Sequence, residues 1–216
     1  MMLPNKLLEK KLFRQGYKHI IAVDEVGVGP LAGPVVASAV LITPKFLLNR
    51  SKKLKNVRDS KIIQPNEREE LADELKSNKD IKFSLSYVRP SIIDKINIYQ
   101  ATIRAMRSAI NKLKISHKKS IVLVDGKAKI LGLDVDQITI IKGDSKIFSI
   151  ACASIIAKVT RDKMMMRYAK KYPQYEFEKH KGYGTKLHNL CLKKHGPCEI
   201  HRKSFEPVAK LVAHSK

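Results

Sequence analysis

The sequence predicts an α/β fold built on a mixed sheet. Apolar runs of strand length alternate with segments of helical period, and the first two strands follow one another as a hairpin. Three of the strands end alike, on an acid beside a glycine. Strands that read as continuous apolar runs are covered on both faces, so helices are expected on either side of the sheet.

The elements follow in order. Leu7, Leu8, Leu12 and Phe13 share one side of a helix over residues 4–15, which stops near Gly16. Residues 18–24 form a β-branched strand, the glycine-rich stretch from Gly27 to Gly33 reverses the chain, and residues 34–42 return as a second strand. Residues 43–61 read as a Lys-rich loop ending in Arg58-Asp59-Ser60-Lys61, after which Pro65 opens a helix with Leu71 and Leu75 on one face. A third strand spans 81–88, with Phe83, Leu85 and Tyr87 alternating against Lys82, Ser84 and Ser86. A helical pattern over 91–114 leads to a fourth strand at 120–125, stopped by Asp125-Gly126, and a fifth at 137–141, followed by Lys142-Gly143-Asp144. A long helix is expected from Ser145 to Lys171, with Ile147, Ile150, Ala151, Ser154, Ile155 and Ala157 inward and Lys158, Arg161 and Lys163 in solvent. The basic, Gly/Pro-punctuated remainder holds short helices around 184–195 and 206–213. Residues 1–171 thus form the main unit, with 172–216 a small helical extension packed on it.

The 216 residues carry 43 Lys and Arg against 20 Asp and Glu, a formal net charge of +23, which points to a polyanionic partner, nucleic acid or an anionic membrane surface. No apolar run approaches the roughly 20 residues that span a bilayer, and the N-terminus lacks the apolar centre of a signal peptide. A cytoplasmic protein that works without a membrane is expected. Three cysteines, Cys152, Cys191 and Cys198, argue against a disulfide framework. His188, Cys191, His195, Cys198 and His201 cluster, but their spacings fit no standard zinc pattern, and a His-rich basic surface is the simpler reading.

Asp24 and Glu25, Asp125, and Asp144 each close a strand. One strand-terminal Asp commonly caps a turn, but three strands with the same ending bring four acids to one side of a sheet. Such a cluster repels itself unless divalent cations hold it, and carboxylate oxygens suit Mg²⁺ or Mn²⁺. Two such ions about 4 Å apart are the usual apparatus of phosphodiester cleavage. The run Gly27-Val28-Gly29-Pro30-Leu31-Ala32 also fits a dinucleotide fingerprint. Its context excludes that: two acids would face the pyrophosphate, and a strand resumes where a helix should start.

At these residues the chain resembles the ribonuclease HII (type 2 ribonuclease H) family. Asp24-Glu25-Val26-Gly27-Val28-Gly29-Pro30 is similar to the family's opening D-E-x-G-R-G-P, Asp59-Ser60-Lys61 to its D-S-K, and Ala153 to Asp162 to its most recognisable helix. Val124-Asp125-Gly126, Lys142-Gly143-Asp144, His180 to Thr185 and His201 to Phe205 follow in order. The resemblance implies a ribonuclease H-like five-stranded sheet and a monomeric endonuclease that cuts 5′ to ribonucleotides, in RNA–DNA hybrids or singly embedded in duplex DNA. It further implies that Asp24, Glu25, Asp125 and Asp144 hold two metals, that backbone groups of Gly27, Val28 and Gly29 meet the ribose 2′-OH, and that Tyr183 packs on the neighbouring sugar. Lys61, Lys158 and Arg161 are the candidate phosphate contacts. One departure stands out: Val28 replaces the Arg of G-R-G, removing a guanidinium while keeping the amide. A silent nucleic-acid-binding protein, or another two-metal nuclease or strand-transferase on the same scaffold, are the alternatives.

Overall fold

The computed structural model describes residues 3–48, 53–116 and 118–213. In chain order it has α1 (Leu7–Arg14), β1 (His19–Val26), β2 (Val35–Ile42), α2 (Pro44–Leu47), α3 (Pro65–Ser77), β3 (Ile81–Val88), α4 (Pro90–Lys112), β4 (Ser120–Asp125), β5 (Asp136–Ile140), α5 (Phe148–Lys171), α6 (Phe177–His180), α7 (Lys186–His195) and α8 (Val208–Ala213). The five strands form one sheet in the order β3-β2-β1-β4-β5. β1 and β4 are parallel, as are β4 and β5. The eight residues between β1 and β2 are too few for a crossover, so those neighbours run antiparallel and the sheet is mixed. Among the described residues no helix is long and apolar enough to cross a membrane.

Two compact units interleave along the chain. The first comprises Met1–Glu25, Ala37–Ser86 and Met106–Val159; the second comprises Val26–Val36, Tyr87–Ala105 and Thr160–Lys216. In the first, residues 37–42 of β2 and residues 20–24 of β1 are buried, as expected for strands covered on both faces. Val40, Ile42, Leu71, Leu75, Phe148, Ile155 and Ile156 fill one core cluster, and Leu12, Ile20, Ala22, Ile121, Leu123 and Ile150 another. In the second, Leu31, Met165, Tyr175, Phe177, Leu192 and Val208 close a core of their own.

Several expectations need correction. The predicted loop 43–61 contains α2 and a 3₁₀ turn, Lys53–Asn56; its residues 49–52 lie outside the described residues. Thr43 caps α2 by accepting from the Phe46 amide at 3.2 Å, Pro44 presets the first turn, and Phe46 and Leu47 anchor it in the core. On β3 the alternation fails at its end, where Ser86 and Val88 form the buried face and Tyr87 is 56% exposed. The long helix begins at Phe148, after a separate 3₁₀ turn, Gly143–Ser145. A 3₁₀ turn at Pro173–Tyr175 and α6 were not foreseen.

α4 is two helices joined at Asn97, whose φ of 63° and ψ of 167° are held by no ordinary helix. The Asn97 Oδ1 accepts from the Gln100 amide at 3.0 Å, capping the second piece. An Asn97→Ala variant keeps the strained backbone and loses the cap, so it should be about 1 kcal/mol less stable in denaturant unfolding. Asn97→Gly, which relieves the strain, should cost less than Ala; equal stability of wild type and the Ala variant would show that the cap contributes nothing.

Candidate active site

In the first unit the sheet itself assembles the acids. Parallel strands put their carboxyl ends on one side, and the register pairs Val23 with Val124, so that Asp24 and Asp125 come next along neighbouring strands. The pairing of Asp125 with Ile140 brings the turn after β5, with Asp144, to the same end. Asp24 and Asp144 are 3% and 4% exposed, while Glu25 and Asp125 are half-buried. Asp24 accepts from the Glu25 amide at 2.7 Å, and the Ser154 hydroxyl beside it eases its charge. Asp125 also accepts from the Gly143 amide at 2.7 Å. That approach requires glycine: a Cβ at residue 143 would lie 2.6 Å from Ile150 and 3.1 Å from the Asp125 carboxylate.

These acids disturb one another. Burial pushes the Asp24 pKa well above the usual carboxylate range, and the charges of Glu25, Asp125 and Asp144 push it further. Burial and Asp125 raise Glu25 to about 7. Asp125 is raised by burial and by Asp144, against the opposing pull of the Gly143 amide. Among the described residues the cation facing them is Lys61, whose Nζ lies 3.1 Å from Asp144 Oδ2 and whose charge eases both Glu25 and Asp125. Burial alone would lower the Lys61 pKa, but the bond to Asp144 together with the charges of Asp144, Asp59 and Asp24 outweighs it and the net shift is upward. The turn carrying Lys61 is fixed from behind, since Arg68 donates to the Ser60 carbonyl at 2.6 Å and the Ser60 and Ser154 hydroxyls are 3.0 Å apart. Sequence reasoning missed Ser154, Ser60 and Arg68 as supports of the acids; Ser60 and Ser154 do stand inside the two motifs that flank them.

A hard, all-oxygen donor set with excess buried negative charge suits a divalent cation of the Mg²⁺ or Mn²⁺ kind. Among the described residues no three His, Cys, Asp or Glu side chains are already drawn around one point, so the acids are gathered but not closed into a finished shell.

The second unit holds the glycine turn and Tyr183. Arg161 contradicts the expectation of a solvent-facing phosphate contact: it is fully buried, with its guanidinium donating to the carbonyls of Pro34, Ala32 and Lys181, each at 3.0 Å. A helix position read as polar face became interior because the turn supplies the acceptors that a buried guanidinium needs. Gly27, at φ +94°, allows this, because a Cβ there would lie 2.3 Å from Arg161 Nε. Val28 and Gly29 are exposed. Tyr183 is 40% exposed, with Arg161 5.8 Å from its ring centroid. Lys158, in the first unit, is half-buried on α5.

The His-rich segment is a buried relay, not a basic surface. His201 Nδ1 accepts from the Cys198 amide at 2.9 Å, so its Nε2–H points to His188 Nε2 at 3.0 Å, and His188 Nδ1–H then donates to the Tyr183 carbonyl at 3.0 Å. Burial holds both pKa values near 4, so both rings are neutral and every ring nitrogen is used within the protein. Neither of these two rings keeps a nitrogen for zinc, and His195 stands apart from them as an exposed residue.

The raised acids give a signed expectation. Between the ordinary carboxylate range and pH 7 the folded acids hold protons that the unfolded chain has released, so their contribution to stability is present at low pH and lost as pH rises. In metal-free buffer at pH 8, Asp125→Asn should therefore melt above wild type, by roughly 2–4 °C, with a smaller gain at pH 5. A gain that does not depend on pH would contradict the repulsion described here.

Comparison with known proteins places this arrangement. A family model described as Ribonuclease HII matches residues 21–208. The ribonuclease HII of Caldicellulosiruptor bescii is 52% identical over 198 residues, 92% of this chain and 91% of that protein. That of Endomicrobium trichonymphae is 47% identical over 208 residues, 96% and 95% of the two chains. Among solved structures, the ribonuclease H2 of Pyrococcus horikoshii superposes with a TM-score of 0.74 at 26% identity, covering 91% of this chain and 98% of that one. The chain belongs to the ribonuclease HII family and is a ribonuclease H enzyme.

Proposed function

We propose that this ribonuclease H cuts the phosphodiester 5′ to a ribonucleotide, in RNA–DNA hybrids and at single ribonucleotides in duplex DNA, by a two-metal mechanism using Mg²⁺ or Mn²⁺. The observation that carries this reading is the convergence of four mutually repelling carboxylates at one end of a parallel strand triplet. Asp24, Glu25, Asp125 and Asp144 would hold the ions. When bound, such ions supply Lewis-acid activation of the attacking water and charge neutralisation at the leaving oxygen. Ser154 and the Gly143 amide keep Asp24 and Asp125 aimed, so the ligands are oriented before metal arrives.

Lys61 keeps an ammonium whose side chain is 74% exposed, positioned to meet a substrate phosphate while its other face neutralises Asp144. The chain then runs without a break from Glu25 into the turn at Gly27, Val28 and Gly29, whose amides read the ribose 2′-OH, the group that separates RNA from DNA. Tyr183 offers its ring to the adjoining sugar. The surplus of positive charge over the whole chain supports binding to the phosphate backbone in a salt-dependent way.

The deciding experiment is cleavage of a duplex carrying one ribonucleotide, in Mg²⁺ and Mn²⁺, with the product ends mapped. A single cut 5′ to the ribonucleotide, absent from the matched all-DNA duplex, is expected; equal nicking of both duplexes would sink the reading. Asp125→Asn should fold and should lose more than the roughly 10–100-fold typical of groups that merely support a metal ligand. Val28→Arg, which restores the guanidinium of the family pattern, should tighten duplex binding roughly two- to fivefold at low salt. No change in binding or rate would show that Val28 costs this protein nothing.

A further inference from the structure

Arg202 lies on the extended segment before α8, in the second unit, and is fully buried. Its guanidinium lies 4.9 Å from the Phe205 ring centroid and gives its hydrogen bonds to the glycine turn. Nη1 donates to the Val28 carbonyl at 2.8 Å, Nη2 to the Gly27 carbonyl and to the Gly33 carbonyl at 3.0 Å, and Nε to the Gly33 carbonyl at 3.1 Å. Its own amide donates to the Leu31 carbonyl at 2.8 Å, and Ala32 and His201 form an isolated bridge. Arg202 is therefore stitched to both arms of the turn by side chain and backbone alike.

The peptide unit turns this into a statement about donors. In a trans peptide the C=O and the following N–H point in opposite directions across one plane. Holding the Gly27 carbonyl on Arg202 aims the Val28 amide away from it, and holding the Val28 carbonyl does the same for the Gly29 amide. Both residues are exposed, so the two N–H groups form the outward face of the turn. Glycines leave such a loop many alternatives, and only a fixed set of donors selects one. Burial and the neighbouring charge of Arg161 lower the Arg202 pKa only to about 9, so it remains a full donor fork at neutral pH.

We propose that Arg202 is the positioning residue for ribonucleotide specificity: by clamping the Gly27 and Val28 carbonyls it presets the Val28 and Gly29 amides as donors for the ribose 2′-OH. This rests on the reading that these amides meet that hydroxyl. The geometry demands a planar fork that reaches three carbonyls at once, which the single ammonium of lysine cannot reproduce at equal charge.

Wild type, Arg202→Lys and Arg202→Ala are compared in Ca²⁺ for binding to a duplex with one ribonucleotide and to its all-DNA counterpart, and in Mn²⁺ for cleavage, with thermal melting and Mn²⁺ titration alongside. Arg202→Lys should keep a cooperative melt and Mn²⁺ affinity within about twofold of wild type, yet lose roughly tenfold of its binding preference for the ribonucleotide duplex. Its cleavage should fall on the order of 100-fold, as expected when a reacting bond is held about 1 Å out of place. The Ala variant should go further in the same direction. Should Arg202→Lys retain the wild-type preference, or lose the fold or Mn²⁺ binding along with it, Arg202 does not act through the turn and the proposal is overturned while the nuclease reading stands. Wild type that shows no preference and no cleavage at the ribonucleotide would instead remove the nuclease reading, and this proposal with it.

Discussion

Four carboxyl groups at one end of three neighbouring strands set the terms for the first unit. Each would be costly to bury alone, and together they also repel, which the elevated pKa values of Asp24, Glu25 and Asp125 express directly. A fold built only for stability would not keep them. Here the parallel register of β1, β4 and β5 enforces their meeting, Ser154 and the Gly143 amide fix two of them, and the Lys61 ammonium offsets part of the charge. The remainder is a standing demand for cations, stored in the metal-free protein as strain between burial and charge.

The second unit solves the opposite problem. Two guanidiniums, Arg161 and Arg202, are buried against backbone carbonyls of one short turn. The carbonyls gain partners that a buried loop otherwise lacks, and the arginines gain acceptors without drawing on the four gathered acids. Gly27 makes the approach possible, since any side chain there would collide with Arg161. Nearby, His201 and His188 are hydrogen-bonded and His180 stacks on the His188 ring, and His188 donates to the Tyr183 carbonyl, so the residue expected at the sugar is also held from behind.

Much of this was legible in the residues. Continuous apolar strands stopped by acid and glycine located β1, β4 and the turn after β5, because the period of a buried strand and the cost of a buried charge are both local signals. Lys61 and the four acids were found that way or through the family pattern. Arg161 was singled out but read as solvent-facing, and Arg202 stood in a quoted motif without a role, because burial of an arginine depends on acceptors brought from far along the sequence, and composition says only that Arg is mostly exposed. The histidines misled for the same reason: their spacing reads as surface or metal, and only tertiary packing with Tyr175 and Phe177 makes them interior. At the end of β3 the alternation misled, because the buried face there carries Ser86 and Val88 and leaves Tyr87 exposed.

The central claim, that the gathered acids are a cation site held open by their own repulsion, is tested most directly by titrating Mn²⁺ into metal-free protein and counting bound ions by paramagnetic resonance, for wild type and Asp24→Asn. The account expects saturable binding by wild type, strengthened by an added ribonucleotide-containing duplex, and its marked weakening in a variant that still folds. Equal Mn²⁺ binding by the two proteins would contradict it.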